Sequence, residues 1–359
     1  MISTFENCNN LEFFSISGFS GNEIKSMKKL FYNSKLQKFN FNNFTTNKLE
    51  DVSYMFSSTS FNKLEFPNII TENVIDMSYL FTNCSSLNEL DISNLNSAKT
   101  QNLSHIFEGL LQIRELYLSN LETKTVKDMS YMFKNCINLN KVELSAFNTE
   151  LVIDMSHMFD ECNKLISLDL GNFVTKNVKN MSYMFKDCLK LASVNLEIFD
   201  ISEVEDMSEM FYACDSLTSL DLTNFKTNKV KKIKYMFRYC MNLEFLALQN
   251  FDTNNVEEMP YLFEDCTSLM YLEIPLFKTG KVVDMSGMFL DCSILESIDL
   301  SSFDTSKVKN MSHMFEGCLY LTSLDLSNFN TEKVEDMSSM FKFIYMLNSL
   351  KLSSFNTKM

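Results

Sequence analysis

The sequence predicts an α/β repeat solenoid, in which short coils stack into a parallel sheet on one face and short helices on the other. Three observations predict it: Met-Phe pairs recur about every 26 residues, the first half of each unit has helical apolar spacing, and the second half alternates. A lone unit cannot bury its apolar side, so such units are stable only when stacked. We expect about 13–14 coils. Because helices need more width than strands, the sheet should form the concave face.

A recurring phenylalanine anchors the repeat. Every interval is 26 residues except two of 25, which follow Phe31 and Phe56. Only 7 Gly and 3 Pro are present, which leaves little room for linkers, so we predict one solenoid over residues 1–359. The anchors are Phe5, Phe31, Phe56, Phe81, Phe107, Phe133, Phe159, Phe185, Phe211, Phe237, Phe263, Phe289, Phe315 and Phe341.

The first half of each unit predicts a short helix. In one unit the apolar residues Met129, Met132, Phe133 and Cys136 follow the i, i+3, i+4, i+7 spacing of a helix face. Asp128 precedes them at the N-cap position, where a carboxylate accepts a free backbone N–H. The second half of each unit reads L-x-x-L-x-L-x-x-F, and its alternation predicts a half-buried strand. Leu, Phe and Met should therefore fill a continuous core.

Segments such as DMSYMFKNCINLNKVELSAFNT, from residue 128, resemble the BspA-like leucine-rich-repeat surface proteins with their Asp-Met-Ser-x-Met-Phe motif. The resemblance covers nearly the whole chain. It implies a leucine-rich-repeat solenoid, a location on cell surfaces and, in some members, an adhesive role. The first residues, MISTFENCNNLEFF, lack the basic start and long apolar run of a secretory signal, which favours a cytoplasmic location instead. The localisation stays open between these two.

The composition restricts the classes of partner that the chain is expected to bind. The net charge of −14 argues against nucleic acid, whose phosphates need Lys and Arg, and against an anionic membrane surface. No run approaches the roughly 20 apolar residues of a membrane helix. We therefore expect a protein partner, with no nucleic acid and no membrane insertion.

Nine cysteines share one slot of the repeat. A metal or disulfide ladder and simple packing are both conceivable, and packing is favoured. Neighbouring helices would lie about 8–10 Å apart, whereas a disulfide needs Cα atoms within about 7 Å. Leu110 and Ile344 also replace Cys in this slot without any change in a partner. The slot holds Cys84, Cys136, Cys162, Cys188, Cys214, Cys240, Cys266, Cys292 and Cys318, and Cys8 holds it in the first, partial unit.

The sequence predicts no enzyme. His105, His157 and His313 occupy a slot that holds Tyr in other units and should point towards water. Phosphate loops, nucleophile elbows and zinc-binding motifs are absent from the sequence. We therefore predict no catalytic residue, no cofactor and no metal ligand. The Tyr/His slot itself predicts an aromatic stripe, which is either a contact surface or rings lying over the helix ends.

Carboxylates dominate the outward slot between the two strand leucines. Side by side they repel each other, so water, neighbouring Lys, cations or a basic partner must screen them. The slot is either a solvated polar face or a negative strip for a basic protein or Ca²⁺. It reads Asp91, Tyr117, Glu143, Asp169, Asn195, Asp221, Ala247, Glu273, Asp299, Asp325 and Lys351.

The acidic slot is interrupted at Ala247. Phe245 and Tyr271 flank it, and Gln249 and Pro275 follow. In the slot of Phe245 and Tyr271, other units carry Ser167, Ser193, Ser219, Ser297 and Ser323. Exposed apolar patches of this kind usually mark a contact, although drift of one repeat would leave the same pattern. The predicted partner-binding residues are Phe245, Ala247, Tyr271, Glu273, Asp221, Asp299 and Asp325.

Three functions fit these observations. The first is an interaction or adhesion module that presents its sheet face to a protein partner, for which a basic protein is one candidate. The second is a structural subunit that assembles end to end, because neither end shows a capping motif and uncapped ends favour self-association. The third is an intracellular scaffold or effector.

Overall fold

The computed structural model describes residues 1–356, which fall into two compact units, Met1–Asn177 and Val178–Met359. Each unit carries seven of the fourteen predicted anchor phenylalanines, Phe5 to Phe159 in the first and Phe185 to Phe341 in the second. The units are described separately, and a single solenoid over residues 1–359 stays a prediction.

Each unit is a stack of short parallel strands, as the alternating apolar pattern predicted. Partners lie 25 or 26 residues apart, for example Leu116 with Val142 and Leu220 with Leu246. In the first unit the strands are β1 Phe13–Ser17, β2 Lys38–Asn42, β3 Lys63–Glu65, β4 Glu89–Asp91, β5 Glu115–Tyr117, β6 Lys141–Glu143 and β7 Ser167–Leu168. In the second they are β8 Ser193–Val194, β9 Ser219–Asp221, β10 Phe245–Ala247, β11 Ser323–Asp325 and β12 Ser349–Lys351.

The predicted short helices are wrong: residues 1–356 contain none, and the segments are runs of tight turns. Alternate N–H groups bond to the next coil, as Tyr131 N–H does to Ser156 O at 2.9 Å. The groups between them close local turns, as Lys134 N–H does to Tyr131 O at 3.1 Å. Coils spaced for a sheet are about 4.8 Å apart, which is too close for helices that need 8–10 Å.

The turn segments satisfy the same apolar pattern as a helix would. Met129, Met132, Phe133 and Cys136 are all buried. The anchor phenylalanines stack from coil to coil, with ring centroids 5.4 Å apart for Phe133–Phe159, for instance. A three- to four-residue apolar period therefore predicted the correct inward face but the wrong backbone.

The cysteine slot is a packing slot: nine of its cysteines are buried, and within residues 1–356 none of the cysteines forms a disulfide bond. Each thiol for which the contact is resolved also donates to a phenylalanine carbonyl of the preceding coil, as Cys136 Sγ does to Phe107 O at 3.1 Å. Burial raises the pKa of Cys136 and of Cys240 to about 12, which keeps both thiols protonated at neutral pH. In other coils the phenylalanine carbonyl also accepts a backbone N–H of its own coil, as Phe133 O does from Cys136 N–H at 3.1 Å, so the thiol occupies a second lone pair.

Buried hydroxyls join the coils on another edge. Thr149 Oγ1 donates to Val174 O at 3.0 Å and accepts from Val174 N–H at 2.7 Å, so the side chain substitutes for a backbone strand partner.

Asp128 closes a turn within its own coil, which corrects the prediction that it caps a helix. Its carboxylate accepts the N–H of Ser130, two residues on, at 2.9 Å, which closes the first turn of the run.

Candidate binding surface on the sheet face

The strands of the second unit bring the predicted patch together. Ala247 pairs in register with Asp221 on one side and with Glu273 on the other. Phe245 and Tyr271 precede Ala247 and Glu273 by two residues, so they project from the same face of neighbouring strands. We call Phe245, Ala247, Tyr271 and Glu273 the sheet patch.

The aromatic side chains of the sheet patch are open to solvent, and Ala247 is not. Phe245 is 57% exposed and Tyr271 is 60% exposed, whereas Ala247 is only 2% exposed. Ala247 is therefore covered by the groups around it and offers almost no surface of its own. The exposed surface of the sheet patch comes from the rings of Phe245 and Tyr271 and from the Glu273 side chain.

A capping hydrogen bond made by the aspartates of this face is missing at the sheet patch. In ordinary coils the outward Asp accepts the N–H two residues on, as Asp221 does from Thr223 at 2.9 Å. Ala247 has no acceptor to offer, and Pro275, two residues after Glu273, has no N–H to donate. The carboxylate of Glu273 makes no hydrogen bond or ion pair within the described part of the chain. Both members of the cap are thus altered in adjacent coils.

The acidic neighbours are partly occupied by structural bonds. Hydrogen bonds from Thr223 lower the pKa of Asp221, and hydrogen bonds from Ser301 lower that of Asp299. A bond from Lys351 Nζ, 2.8 Å away, lowers the pKa of Asp325 to about 2. The predicted acidic strip is therefore a row of turn caps, in which Asp221 and Asp299 border the sheet patch and Asp325 is paired internally.

A shallow groove of about 420 Å³ runs beside the sheet patch. It is lined by Glu273, Pro275 and Asp299, among others. The hydroxyl of Tyr271 donates to Glu296 Oε2 at 3.1 Å. That bond and the nearby charge raise the pKa of Tyr271, because they favour the protonated phenol. The surroundings of the two rings are therefore acidic on both sides.

The first unit holds a similar aromatic group that is already partnered. Tyr117 on β5 is 59% exposed, and its hydroxyl donates to Glu115. Lys141 on the neighbouring strand lies 5.5 Å from the centre of the Tyr117 ring. Among residues 1–356 no Lys or Arg lies against Phe245, Tyr271 or Glu273 in this way.

The Tyr/His slot is half-buried rather than fully in water, which corrects its predicted exposure. The rings of the first unit stack face to face, with Tyr54–Tyr79 at 4.2 Å and Tyr79–His105 at 4.0 Å. Their residues adopt positive φ, for example +58° at Tyr131, a conformation that costs an ordinary residue about 1–2 kcal/mol. Ring stacking and the bonds between coils offset that cost.

Sequence reasoning missed the carboxylate beside each histidine. His105 Nδ1 lies 2.6 Å from Glu108, and His157 Nδ1 lies 2.7 Å from Asp160, which Lys134 also contacts at 2.6 Å. His313 and Glu316 repeat the arrangement. The signal was present, because all three histidines are followed three residues later by an acid. Each His–acid pair lies within one coil, and Lys134 and Lys342 join the acids Asp160 and Glu316 to a neighbouring coil.

No cluster of three or more metal-ligating side chains occurs within residues 1–356. Over the same range, the structure has no helix of the length and apolar character needed to cross a bilayer. In the last described coil Phe343, Tyr345 and Met346 are exposed. Association through the chain ends stays a prediction, and Thr357–Met359 of the terminal segment lie outside the described residues.

The sequence matches a family model described as "Mycoplasma protein of unknown function, DUF285". The matches run over residues 1–116, 102–215, 166–271, 190–295 and 270–359 and together span the chain. The chain belongs to the DUF285 family. No curated protein matches this DUF285 chain in sequence.

Two solved structures are similar to this chain. A leucine-rich-repeat protein from Bacteroides ovatus is 18% identical, with a TM-score of 0.53 over 94% of this chain and 85% of that one. A leucine-rich cell-surface protein from Faecalibacterium prausnitzii is 15% identical, with a TM-score of 0.45 over 96% and 88%. The first likeness shows a parallel β-solenoid of leucine-rich-repeat type and nothing finer.

Proposed function

We propose that this DUF285 protein is a non-enzymatic interaction module that contacts a protein partner through the sheet patch. The observation that carries the proposal is the exposure of Phe245 and Tyr271 on neighbouring strands, beside the unpartnered carboxylate of Glu273. Aromatic residues are enriched at the centres of interfaces, where they supply most of the binding energy. The fold of leucine-rich-repeat type supports a binding role rather than catalysis.

The coordinated change in two coils also supports the proposal. The floor residue, both rings and both cap positions depart from the repeat between Phe245 and Pro275, while the core residues of the same coils keep it. Met241 and Met270 are exposed in the same coils and extend the apolar area. Flexible methionines adapt well to a partner surface.

In its finer form, the proposal is that this module is adhesive and acts at a cell surface. The resemblance of the Asp-Met-Ser-x-Met-Phe repeat to the BspA-like proteins supports that form. An acidic net charge of −14 and the carboxylates around the sheet patch favour a partner that is basic at its contact surface.

Site-specific photo-crosslinking tests the proposal. A benzoylphenylalanine at position 245 should capture one dominant protein from the native cell or its surroundings. The matched control carries the same group at position 219, the in-register residue of the neighbouring strand, where the repeat has Ser. We expect position 245 to capture the partner when the rest of the chain is wild type. We expect no capture from position 245 when the chain also carries Tyr271→Ser. Equal capture from an equivalent position of the first unit, such as 141, would contradict the proposal.

A further inference from the structure

A groove of about 510 Å³ lies on the sheet face of the first unit, beside β1, β2 and β3. Its lining includes Phe13 of β1, Lys38 and Asn40 of β2, and Asn68, which follows β3. The volume falls within the range of about 300–1,000 Å³ that is typical of sites for small ligands. β1 and β2 are five residues long, whereas every other strand within residues 1–356 has two or three, so the hydrogen-bonded sheet is longest here.

Phe13 supplies the exposed aromatic face of this groove. Its side chain is 60% exposed, whereas Phe41, Phe61 and Phe66, which also border the groove, are buried in the core. Within residues 1–356 no other aromatic ring and no Lys or Arg lies against the Phe13 ring. One flat apolar ring in a polar lining is too little for the apolar centre of a typical protein interface.

The outward side chains of β2 form a polar row beside Phe13. Strand alternation places Lys38, Asn40 and Asn42 on one face of β2, roughly 7 Å from one to the next along the strand. The parallel register places Lys38 next to Phe13. Because these side chains follow a line rather than converge on one point, they suit an extended ligand.

The amides in this groove have no partner in the protein, whereas amides in equivalent places elsewhere do. Asn224, in the repeat slot of Asn68, donates through Nδ2 to carbonyls of the preceding coil, the nearest at 3.0 Å. Asn195, in the slot of Asn40, accepts a backbone N–H at 3.0 Å. Within residues 1–356 the side chains of Asn40, Asn42 and Asn68 make no hydrogen bond. Their donors and acceptors are therefore available to a ligand.

Sugars present the two kinds of surface that match these groups. A pyranose ring has an apolar C–H face that packs on an aromatic ring, and a rim of hydroxyls that each donate and accept hydrogen bonds. An amide offers a donor and an acceptor in one plane, so it can bond two neighbouring hydroxyls. Lys63 in the lining pairs with Glu89, which leaves Lys38 and Glu65 as single charges of opposite sign. The groove therefore favours a neutral ligand.

We infer that this groove binds a neutral oligosaccharide of 1,4-linked pyranose sugars. One sugar stacks on the Phe13 ring, and its neighbours bond through their hydroxyls to Asn40, Asn42 and Asn68. The site uses none of the residues of the sheet patch, so it is a second binding function beside the proposed one.

Saturation-transfer difference NMR on the full chain tests the inference. The probes are cellohexaose, xylohexaose, mannohexaose, chitohexaose and maltohexaose, and the control is sorbitol, an open-chain polyol without a ring face. We expect at least one hexasaccharide to give a saturable response that is strongest for the C–H protons of one ring face, and sorbitol to respond at least tenfold more weakly. Phe13→Ser should weaken the affinity at least tenfold, because it replaces the stacking face with the residue that Ser219 provides in the same slot. Asn42→Asp should weaken it at least fivefold, because a carboxylate has no N–H to donate.

The matched control is Phe245→Ser, which removes an exposed ring from the same repeat slot in the second unit and should leave the affinity within twofold. Thermal unfolding of each variant separates loss of the site from loss of the fold. The inference is overturned if none of the five hexasaccharides gives a saturable response, or if a folded Phe13→Ser variant binds as tightly as the wild type. Equal saturation of all sugar protons in the wild-type complex also overturns it, whatever the variants do.

Discussion

The sheet faces of the two units treat an exposed tyrosine differently. In the first unit, Tyr117 bonds to Glu115 and carries Lys141 over its ring. In the second unit, Tyr271 bonds to Glu296 but has no cation over its ring, and Phe245 beside it has none either. The same outward slots are satisfied by internal pairs in one place and have no such pair in the other. On the proposed function, a repeat scaffold acquires a site by omitting internal pairs as much as by adding side chains.

The comparison assumes that the scaffold beneath the two regions is equally rigid. Burial raises the pKa of Cys136, under the first, and of Cys240, under the second, to about 12. A thiolate-dependent reagent at pH 8 should therefore label both at least a thousandfold more slowly than an unfolded control. Mass spectrometry of each peptide during labelling measures this. Much faster labelling of Cys240 would mean that the sheet patch lies on a locally open coil, and the comparison would fail.

A lysine placed beside Glu273 should weaken the binding of the partner to the sheet patch. Asp299→Lys places a lysine one coil after Glu273 in the same slot, as Lys351 follows Asp325. We expect the affinity for the captured partner to fall about 100-fold, which corresponds to about 2.7 kcal/mol. Isothermal titration calorimetry measures it, and Asp299→Ser is the control that removes the carboxylate without adding a cation. An unchanged dissociation constant would show that Glu273 takes no part.

Restoring the capping hydrogen bond between residues 273 and 275 should stabilise the fold and weaken the binding of the partner. In Glu273→Asp with Pro275→Ser, the shorter carboxylate can again accept an N–H two residues on, as Asp299 does from Ser301 at 2.9 Å. The free energy of unfolding should rise by about 1 kcal/mol, the typical value of a capping or hydrogen bond. Affinity should fall about tenfold, since 1.4 kcal/mol corresponds to a factor of ten. Denaturant unfolding and calorimetry test both halves, and a gain in stability with full affinity would exclude Glu273 from the contact.

The smallest expected effect concerns the tyrosine hydroxyls. Glu115 raises the pKa of Tyr117, and Glu296 raises that of Tyr271, because each accepts the phenol proton in a hydrogen bond. Glu115→Gln and Glu296→Gln should each lower the pKa of their own tyrosine towards its usual range and leave the other unchanged. Tyrosine-labelled NMR over pH 8–12 follows the two rings separately. A Tyr271 pKa that does not move would show that Glu296 is not its partner in solution.

The sequence predicted the repeat, the inward residues and the parallel strands, because apolar spacing reports burial directly. It could not separate a helix from a run of turns. Met129, Met132, Phe133 and Cys136 face inward in either, and only the coil spacing decides between them. It also assigned Asp128 to a helix cap, whereas the carboxylate closes a turn. The backbone geometry determines which N–H group a carboxylate such as that of Asp128 can reach. The order of residue types in the sequence does not contain that geometry.

The sequence identified the residues of the candidate site that depart from the repeat, but not their burial or their hydrogen-bond partners. Phe245 and Tyr271 could be recognised because Ser occupies their slot in the neighbouring units, as at Ser219 and Ser297. The freedom of the Glu273 carboxylate could not be predicted, because it depends on the cap that Pro275 cannot complete. The burial of Ala247 likewise depends on neighbouring strands rather than on its own position.

The affinity of the captured partner for three proteins tests the central claim most directly. These are the wild type, the double variant Phe245→Ser with Tyr271→Ser, and the first-unit control Tyr117→Ser. Both changes at the sheet patch restore the residue that the repeat carries, so the fold should be kept. We predict that the dissociation constant rises at least 100-fold in the double variant and less than twofold in Tyr117→Ser. Equal affinities for all three, with unfolding temperatures unchanged, would contradict the assignment of the sheet patch as the contact surface.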